Sequence, residues 1–325
     1  MSKNNKLPSL SIVLSFYNEQ NVLNELIKRL RVVNKSLLKN KIIASYKLIF
    51  VNDASTDNSQ EIIKKALSKG DIKLINMSRN FGVSECVIAG FENANTDLVI
   101  YMDADLQDPP EIIPSLIDAW ISEDDVEVVY TTRTKRYGEP KLKMMITKLG
   151  YKFINLISDI NLEVESGDFK LLSKKAISHI LELKEKKPYL RGLSSWIGFK
   201  QKQVFYERDP RFDGHENTKM KLFSRKVIFY WVDRALISFS DGPLKIILFF
   251  GMFASLISFL YIIFVIIDKF NDQTIPGWAA LMSATLFLGS LNILMLGIVG
   301  LYISTIFNES KNRPRYIIKD IIEKQ

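Results

Sequence analysis

The sequence has one cysteine, Cys86, in 325 residues, so no intrachain disulfide is possible. Nothing beside Cys86 is arranged to activate a thiol, and it reads as a small apolar side chain on a helix. Histidine is nearly as scarce, with only His179 and His215. His179 has apolar neighbours on a predicted helix and reads as structural. His215 falls in a polar stretch and reads as a solvated loop residue, despite the frequency of histidine as a base. No secretory signal is expected at the N-terminus. The first apolar run, Leu10 to Phe16, is short and leads straight into Tyr17-Asn18-Glu19, as a strand ending in a loop does. The N-terminal region is therefore expected to stay in the cytoplasm. No internal repeat or low-complexity tract is found.

Charge is missing from two long stretches late in the chain. Residues 244–267 carry only Lys245, at their edge, and residues 278–307 carry no charge. Each is long enough to cross about 30 Å of hydrocarbon as a helix. Gly289, Gly297 and Gly300 would let neighbouring helices approach closely, which also permits a homo-oligomer. Asn292 either bonds to a partner helix or is simply tolerated. The flanks at 219–234 and 311–324 are rich in Lys and Arg, whereas the link at 268–276 is short and nearly neutral. By the positive-inside rule both flanks lie in the cytoplasm and the link outside. Residues 221–239 mix Lys221, Arg225, Lys226 and Arg234 with Phe223, Ile228, Phe229, Trp231 and Leu236, a pattern that predicts amphipathic helices on the membrane surface.

Overall composition is ordinary, at 47% hydrophobic and 25% charged, with a net charge of +8. Because the basic residues gather around the apolar spans, anionic lipid is a simpler partner for them than nucleic acid. The first two hundred residues alternate apolar runs with helical periodicity. Strands are predicted at 9–16, 46–51, 72–77, 97–102 and 126–131, with helices between them. One of these helices places Leu23, Leu26, Ile27, Leu30 and Val33 on one face. Further on, a helix is predicted at 140–158, a short strand near 168–172, a helix at 173–184 and a strand at 200–206. This alternation predicts an α/β fold with an open, parallel, doubly covered sheet. In such sheets ligands bind beyond the carboxyl ends of the strands. The polar clusters at 17–19, 52–57, 79–82 and 103–108 all follow strands and should converge on one crevice. The expected organisation is a catalytic domain at 1–219, juxtamembrane helices at 220–243, a two-helix transmembrane hairpin at 244–310 and a basic cytoplasmic tail at 311–325.

Asp103-Ala104-Asp105 is the central chemical signal. Two carboxylates one residue apart at the end of an apolar strand suit a hard divalent cation shared with a diphosphate, and Gln107 adds an oxygen donor. Pro109 and Pro110 stiffen the loop before the next helix. Four motifs then occur in order: Ser15-Phe16-Tyr17-Asn18-Glu19, Val51-Asn52-Asp53-Ala54-Ser55-Thr56-Asp57, Ser78-Arg79-Asn80-Phe81-Gly82 and Met102-Asp103-Ala104-Asp105-Leu106-Gln107-Asp108-Pro109-Pro110. Together they resemble family 2 glycosyltransferases with the GT-A fold, in the branch that acts on polyprenyl phosphates. The resemblance covers nearly the whole chain. No single motif is specific, but the combination is. The chain departs from the family pattern at Ser15-Phe16, where many relatives carry a proline before the tyrosine, and at Asn52, where Asp is usual.

The resemblance implies a Rossmann-like GT-A domain that moves a sugar from a nucleotide donor, UDP-glucose first, onto undecaprenyl phosphate with inversion. Tyr17, Glu19 and Asp53 would hold the nucleotide base and ribose, with Arg79, Asn80 and Ala104 lining the same pocket. Asp103, Asp105 and Gln107 would bind Mg2+ or Mn2+ and through it the donor diphosphate. Ser166-Gly167-Asp168-Phe169-Lys170-Leu171 resembles the family's G-D-F-R-L segment and would place Asp168 near sugar and acceptor, as an orienting group or a base. Arg191, Arg208, Arg211 and Lys219 would hold phosphate, two of them as the arginines of the Tyr206-to-Gly214 loop. A phosphate monoester is already anionic near pH 7, so such an acceptor needs positioning more than a strong base. The implied partners are the nucleotide sugar, the polyprenyl phosphate, the membrane and a flippase for the product. Two rival readings exist. Processive polysaccharide synthases carry a Q-x-x-R-W motif, which this sequence lacks. A non-catalytic membrane scaffold is opposed by the intact Asp103, Asp105 and Gln107.

Overall fold

A computed structural model describes residues 6–134, 166–183, 185–186, 188–212 and 277–324, with scattered positions between 244 and 263. The described strands are β1 (Ser9–Phe16), β2 (Ser45–Asn52), β3 (Ile72–Met77), β4 (Leu98–Asp103), β5 (Val126–Arg133), β6 (Ser166–Ser173), β7 (Lys200–Tyr206) and β8 (Ile318–Glu323). They form one sheet in the order β7-β5-β6-β4-β1-β2-β3-β8. The helices are α1 (Leu23–Lys39), α2 (Ser59–Ala66), α3 (Val83–Glu92), α4 (Ile113–Ile121), α5 (Lys174–Glu182), α6 (Leu190–Trp196) and α7 (Trp278–Ser310).

The predicted strands and helices of the first half are all present, and the central pairings β4-β1-β2-β3 are parallel. Central strands buried on both faces read as unbroken apolar runs. Leu10, Ile12 and Leu14 of β1 join one core cluster with α1 and α4, while Val13 joins the other with α3 and α5. Helix α1 buries Leu23, Leu26, Ile27, Leu30 and Val33, as its periodicity predicts. Gly90 of α3 explains how closely that helix sits: a Cβ there would lie 2.2 Å from Val13 Cγ1. Cys86 is buried in α3, as expected of an apolar residue. His179 is exposed on α5, 3.2 Å from Glu182 and tilted against Phe199.

The sheet is mixed rather than wholly parallel. β6 runs antiparallel to both β4 and β5, and β8 antiparallel to β3. The β4–α4–β5 crossover leaves one strand position open between its parallel strands, and β6 fills it. Direction cannot be read from apolar content, because any doubly buried strand looks the same. β8 falls within the segment expected as a basic tail. Its side chains alternate between half-buried and exposed, and Lys319, Asp320 and Glu323 are the charges that keep an edge strand soluble.

Helix α7 spans 33 residues. Within it, Phe287–Ser310 is the one described helix long and apolar enough to cross a membrane, and none of that stretch is buried in protein. The described positions of 244–263 are helical, with mostly exposed side chains. The rest of that first expected span lies outside the described residues, as do the juxtamembrane helices at 220–243, the helix at 140–158, His215 and Lys219.

Candidate active site

The loops after β1, β2 and β4 meet at the carboxyl edge of the sheet. Each contains a non-glycine residue with positive φ: Asn18 at 58°, Ala54 at 59° and Leu106 at 59°. Such backbone is uncommon away from glycine and persists where the surroundings enforce it. Here hydrogen bonds do so. The Asn18 N–H donates to Ser55 Oγ at 3.1 Å, and the Thr56 N–H to Asn18 Oδ1 at 2.8 Å. The Glu19 N–H donates to Ser59 Oγ at 2.9 Å. Asp53 is buried and accepts the N–H groups of Phe81 at 2.7 Å and Gly82 at 2.9 Å. Each of its carboxylate oxygens thus takes a hydrogen bond from the 79–82 loop. Gly82, with φ at 107°, turns that loop into α3. Arg79 lies over the Phe81 ring at 3.9 Å, on an exposed rim with Asn80. Tyr17 is 46% exposed at the mouth of the same crevice.

The acid motif alternates cleanly. Asp103, Asp105 and Gln107 are half-buried, whereas Met102, Ala104, Leu106 and Asp108 are buried. Ala104 therefore contributes its methyl to the core and leaves only backbone for a ligand. The β4–β6 register pairs Tyr101 with Lys170. Carried two residues further, it sets Asp103 across from Asp168. Burial first, then Asp168, Asp105 and Asp108, push the Asp103 carboxyl up to about 7. Burial also raises Asp105. Among the described residues no group of three or more His, Cys, Asp or Glu side chains forms a ready metal cage. An under-compensated aspartate pair fits a divalent cation that takes its remaining ligands from water and phosphate, as Mg2+ does.

Basic side chains face these acids. Arg191 Nε donates to Asp168 Oδ1 at 2.7 Å, and its Nη2 donates to Asp168 Oδ2. Burial works to raise the Asp168 carboxyl, but Arg191 with Lys170 and Arg133 holds it below its usual value. Arg191, expected to hold phosphate, is thus engaged with Asp168. After β7 the chain crosses the crevice. Arg211 Nη2 donates to both Glu19 oxygens at 2.8 Å. Arg208 lies 3.8 Å from Asp105 and 3.4 Å from Asp108. The Asp209 N–H donates to the Gln107 carbonyl at 3.0 Å.

Two residues that motif matching left without a role are central here. Asp108 is fully buried, accepts a hydrogen bond from the Tyr206 hydroxyl and lies beside Arg208, so it ties the β4 loop to the β7 loop. Its position just before two prolines is a signal that only burial makes readable. Lys170 is buried, and its Nζ donates to Ser194 Oγ at 2.8 Å. Ser194 Oγ in turn donates to the Arg191 carbonyl at 3.0 Å.

Fold and site together define a class: an α/β protein with an acid-rich, arginine-gated crevice at the carboxyl ends of parallel strands, where nucleotides bind in such sheets. The family follows from comparison with known proteins. Residues 11–181 match the family model described as "Glycosyl transferase family 2", and the chain belongs to that family. It is 39% identical to "Uncharacterized glycosyltransferase YkcC" of Bacillus subtilis, over 95% of this chain and 93% of that one. It is 34% identical to "Bactoprenol glucosyl transferase" of Shigella phage SfV, over 97% of this chain and 99% of that one. Among solved structures it resembles glucosyl-3-phosphoglycerate synthase from Mycobacterium tuberculosis, with a TM-score of 0.46, 17% identity, and coverage of 73% of this chain and 82% of that one.

Proposed function

We propose that the protein transfers glucose from UDP-glucose to a polyprenyl phosphate at a membrane surface, with inversion at the anomeric carbon. The observation that carries this reading is one acid-rich crevice in which Arg208 lies beside Asp105, Arg211 pairs with Glu19 and Arg191 pairs with Asp168, the residue across from Asp103. It is supported by near full-length similarity to a protein named bactoprenol glucosyl transferase.

Asp103, Asp105 and Gln107 would hold Mg2+ or Mn2+. When bound, the ion supplies Lewis-acid neutralisation of the departing diphosphate. Tyr17 and Glu19 hold the nucleoside at the mouth of the crevice. Asp53 acts indirectly, by fixing the loop that carries Arg79 and Asn80. Asp168, kept ionised by Arg191, orients the sugar or the incoming phosphate. Arg208 and Arg211, with Lys219, offset the repulsion between two anionic groups brought close together. A phosphate acceptor is already anionic near neutral pH, so a chain this poor in histidine suits the chemistry. A membrane hairpin keeps the crevice at the headgroup level, where the acceptor phosphate lies, and a flippase would take the product across.

The test is transfer of radiolabelled sugar from a panel of UDP- and GDP-sugars to undecaprenyl phosphate by purified protein, with and without EDTA. A metal-dependent glycolipid from UDP-glucose is expected. Folded protein that yields no glycolipid from any donor in Mg2+ or Mn2+ would sink the proposal. Arg211→Ala should raise the KM for the lipid acceptor about 10- to 100-fold, the size of a lost hydrogen bond between charged groups. Steady-state kinetics at saturating donor would check it.

A further inference from the structure

Strand β8, which follows the membrane helix α7, reaches the nucleotide loop through a line of buried amides. Asn52, Asn76 and Asp320 are cross-strand neighbours on β2, β3 and β8. Asn52 and Asn76 are each 2% exposed. Asn76 Nδ2 donates to Asp320 Oδ1 at 2.6 Å, and Asn52 Nδ2 donates to Asn76 Oδ1 at 3.0 Å. Asn52 Oδ1 then accepts the Ser55 N–H at 2.9 Å, and Ser55 Oγ accepts the Asn18 N–H at 3.1 Å. The β3–β8 register shifts immediately after the Asn76–Asp320 pair, and such irregularities re-aim side chains.

The line has a direction, and Asp320 sets it. An ionised carboxylate only accepts hydrogen bonds. Asn76 must therefore turn its NH2 toward Asp320 and its oxygen toward Asn52. Asn52 must then turn its NH2 toward Asn76, which leaves its oxygen for Ser55. Each amide could otherwise flip, since its two ends are nearly equal in shape. The oxygen delivered to Ser55 closes the turn around Ala54, whose φ is 59°, and Ser55 holds the loop of Tyr17 and Glu19.

We infer that Asp320 is a positioning residue for donor binding: from the returning C-terminal strand it fixes the orientation of Asn76 and Asn52 and so holds the nucleotide loop in its binding shape. This rests on the nucleotide-sugar reading of the crevice. It makes donor affinity depend on a strand that the membrane helix delivers.

The experiment is titration of detergent-solubilised full chain with UDP and Mn2+, together with KM values for donor and acceptor. Asp320→Ala should weaken UDP binding and raise the donor KM about five- to tenfold, the scale of one broken buried hydrogen bond, with the acceptor KM unchanged. Asp320→Asn can still offer an oxygen to Asn76 and should stay within about twofold of wild type. Asn52→Asp demands that Asn76 reverse, which turns the Asn76 oxygen on Asp320. It should weaken UDP binding, and Asp320→Asn in the same chain should restore it. Ile322→Ala, on the same strand and packed against the core, should lower the Tm and leave UDP affinity intact. Wild-type UDP affinity in Asp320→Ala would overturn the inference. So would equal weakening by Ile322→Ala, or a parallel shift in the acceptor KM. Wild-type protein that binds no nucleoside diphosphate would overturn the nucleotide reading itself, a result distinct from each of these.

Discussion

Individual side chains in the crevice are set by their neighbours more than by their type. Asp103 and Asp168 are both half-buried aspartates at the ends of adjacent strands. Burial and three other carboxylates lift the first to about 7, while Arg191 holds the second below its usual value. Asp168 is paired with an arginine, whereas among the described ion pairs Asp103 has none, which leaves Asp103 the better place for a cation. Asp105→Ala should therefore cut transfer by at least about 100-fold, the usual scale for removing a group that stabilises developing charge. Expression and Tm should be retained, which separates an enzyme from a scaffold in a single activity assay. Lys170 offers a pH test. Burial lowers its amine to about 7, Arg191 pushes the same way and Asp168 opposes them. The unfolded chain, with an amine near 10.5, then binds more protons than the folded one between those two values. Stability should rise with pH across that window, by at most about 1.4 kcal/mol per unit. Lys170→Met should flatten the slope, as read from Tm measured at pH 7 and at pH 9.5.

Elements are held together at close approaches and shared loops. Helix α3 starts at Gly82, where the 79–82 loop hangs on Asp53, and presses Gly90 onto Val13 of β1. A methyl at position 90 cannot fit beside Val13, and overpacking of this kind costs about 1–3 kcal/mol. Gly90→Ala should lower the Tm by several degrees. Val13→Ala in the same chain should recover part of the loss, because residues in contact do not act additively. A double-mutant cycle by thermal unfolding would show this coupling. Helix α6 has a comparable tie: Lys170 holds Ser194, Ser194 holds the Arg191 backbone, and the Arg191 side chain clamps Asp168.

At the scale of the whole molecule, the C-terminal segment joins the long apolar helix α7 to the sheet. Tyr316 donates to Glu92, the Ser78 N–H donates to the Ile317 carbonyl at 2.9 Å, and Lys186 Nζ donates to the Arg313 carbonyl at 2.7 Å. The end of α7 and the sheet are therefore on the same side of any membrane that α7 crosses. A hairpin formed with residues 244–267 would put the 268–276 link on the other side. Asp272→Cys should react with a membrane-impermeant maleimide added outside intact cells. Background should be low because the native Cys86 is buried. Labelling only after the membrane is opened would place the link inside and refute the hairpin.

Most of the strands and helices up to β7 and the acid motif were legible in the sequence, because each depends on local periodicity or on residues adjacent in the chain, whereas α6 and β8 were not expected. Leu23, Leu26, Ile27, Leu30 and Val33 face the core for the same reason that they recur every three or four positions. Strand direction, the insertion of β6 between β4 and β5, and the pairing of β8 with β3 depend on contacts between distant segments and leave no local trace. The same holds for the partners that decide chemistry. Asp53 reads as a ligand residue in its motif, and only tertiary contact shows that it also holds the backbone of Phe81 and Gly82. Arg191 reads as a phosphate clamp, but 23 residues separate it from the aspartate it holds. Sequence by itself determined which residue types gather at the strand ends. Tertiary structure alone decided which of them neutralise one another and which keep an unbalanced charge, since a charge is set by what folding brings within a few ångströms of it.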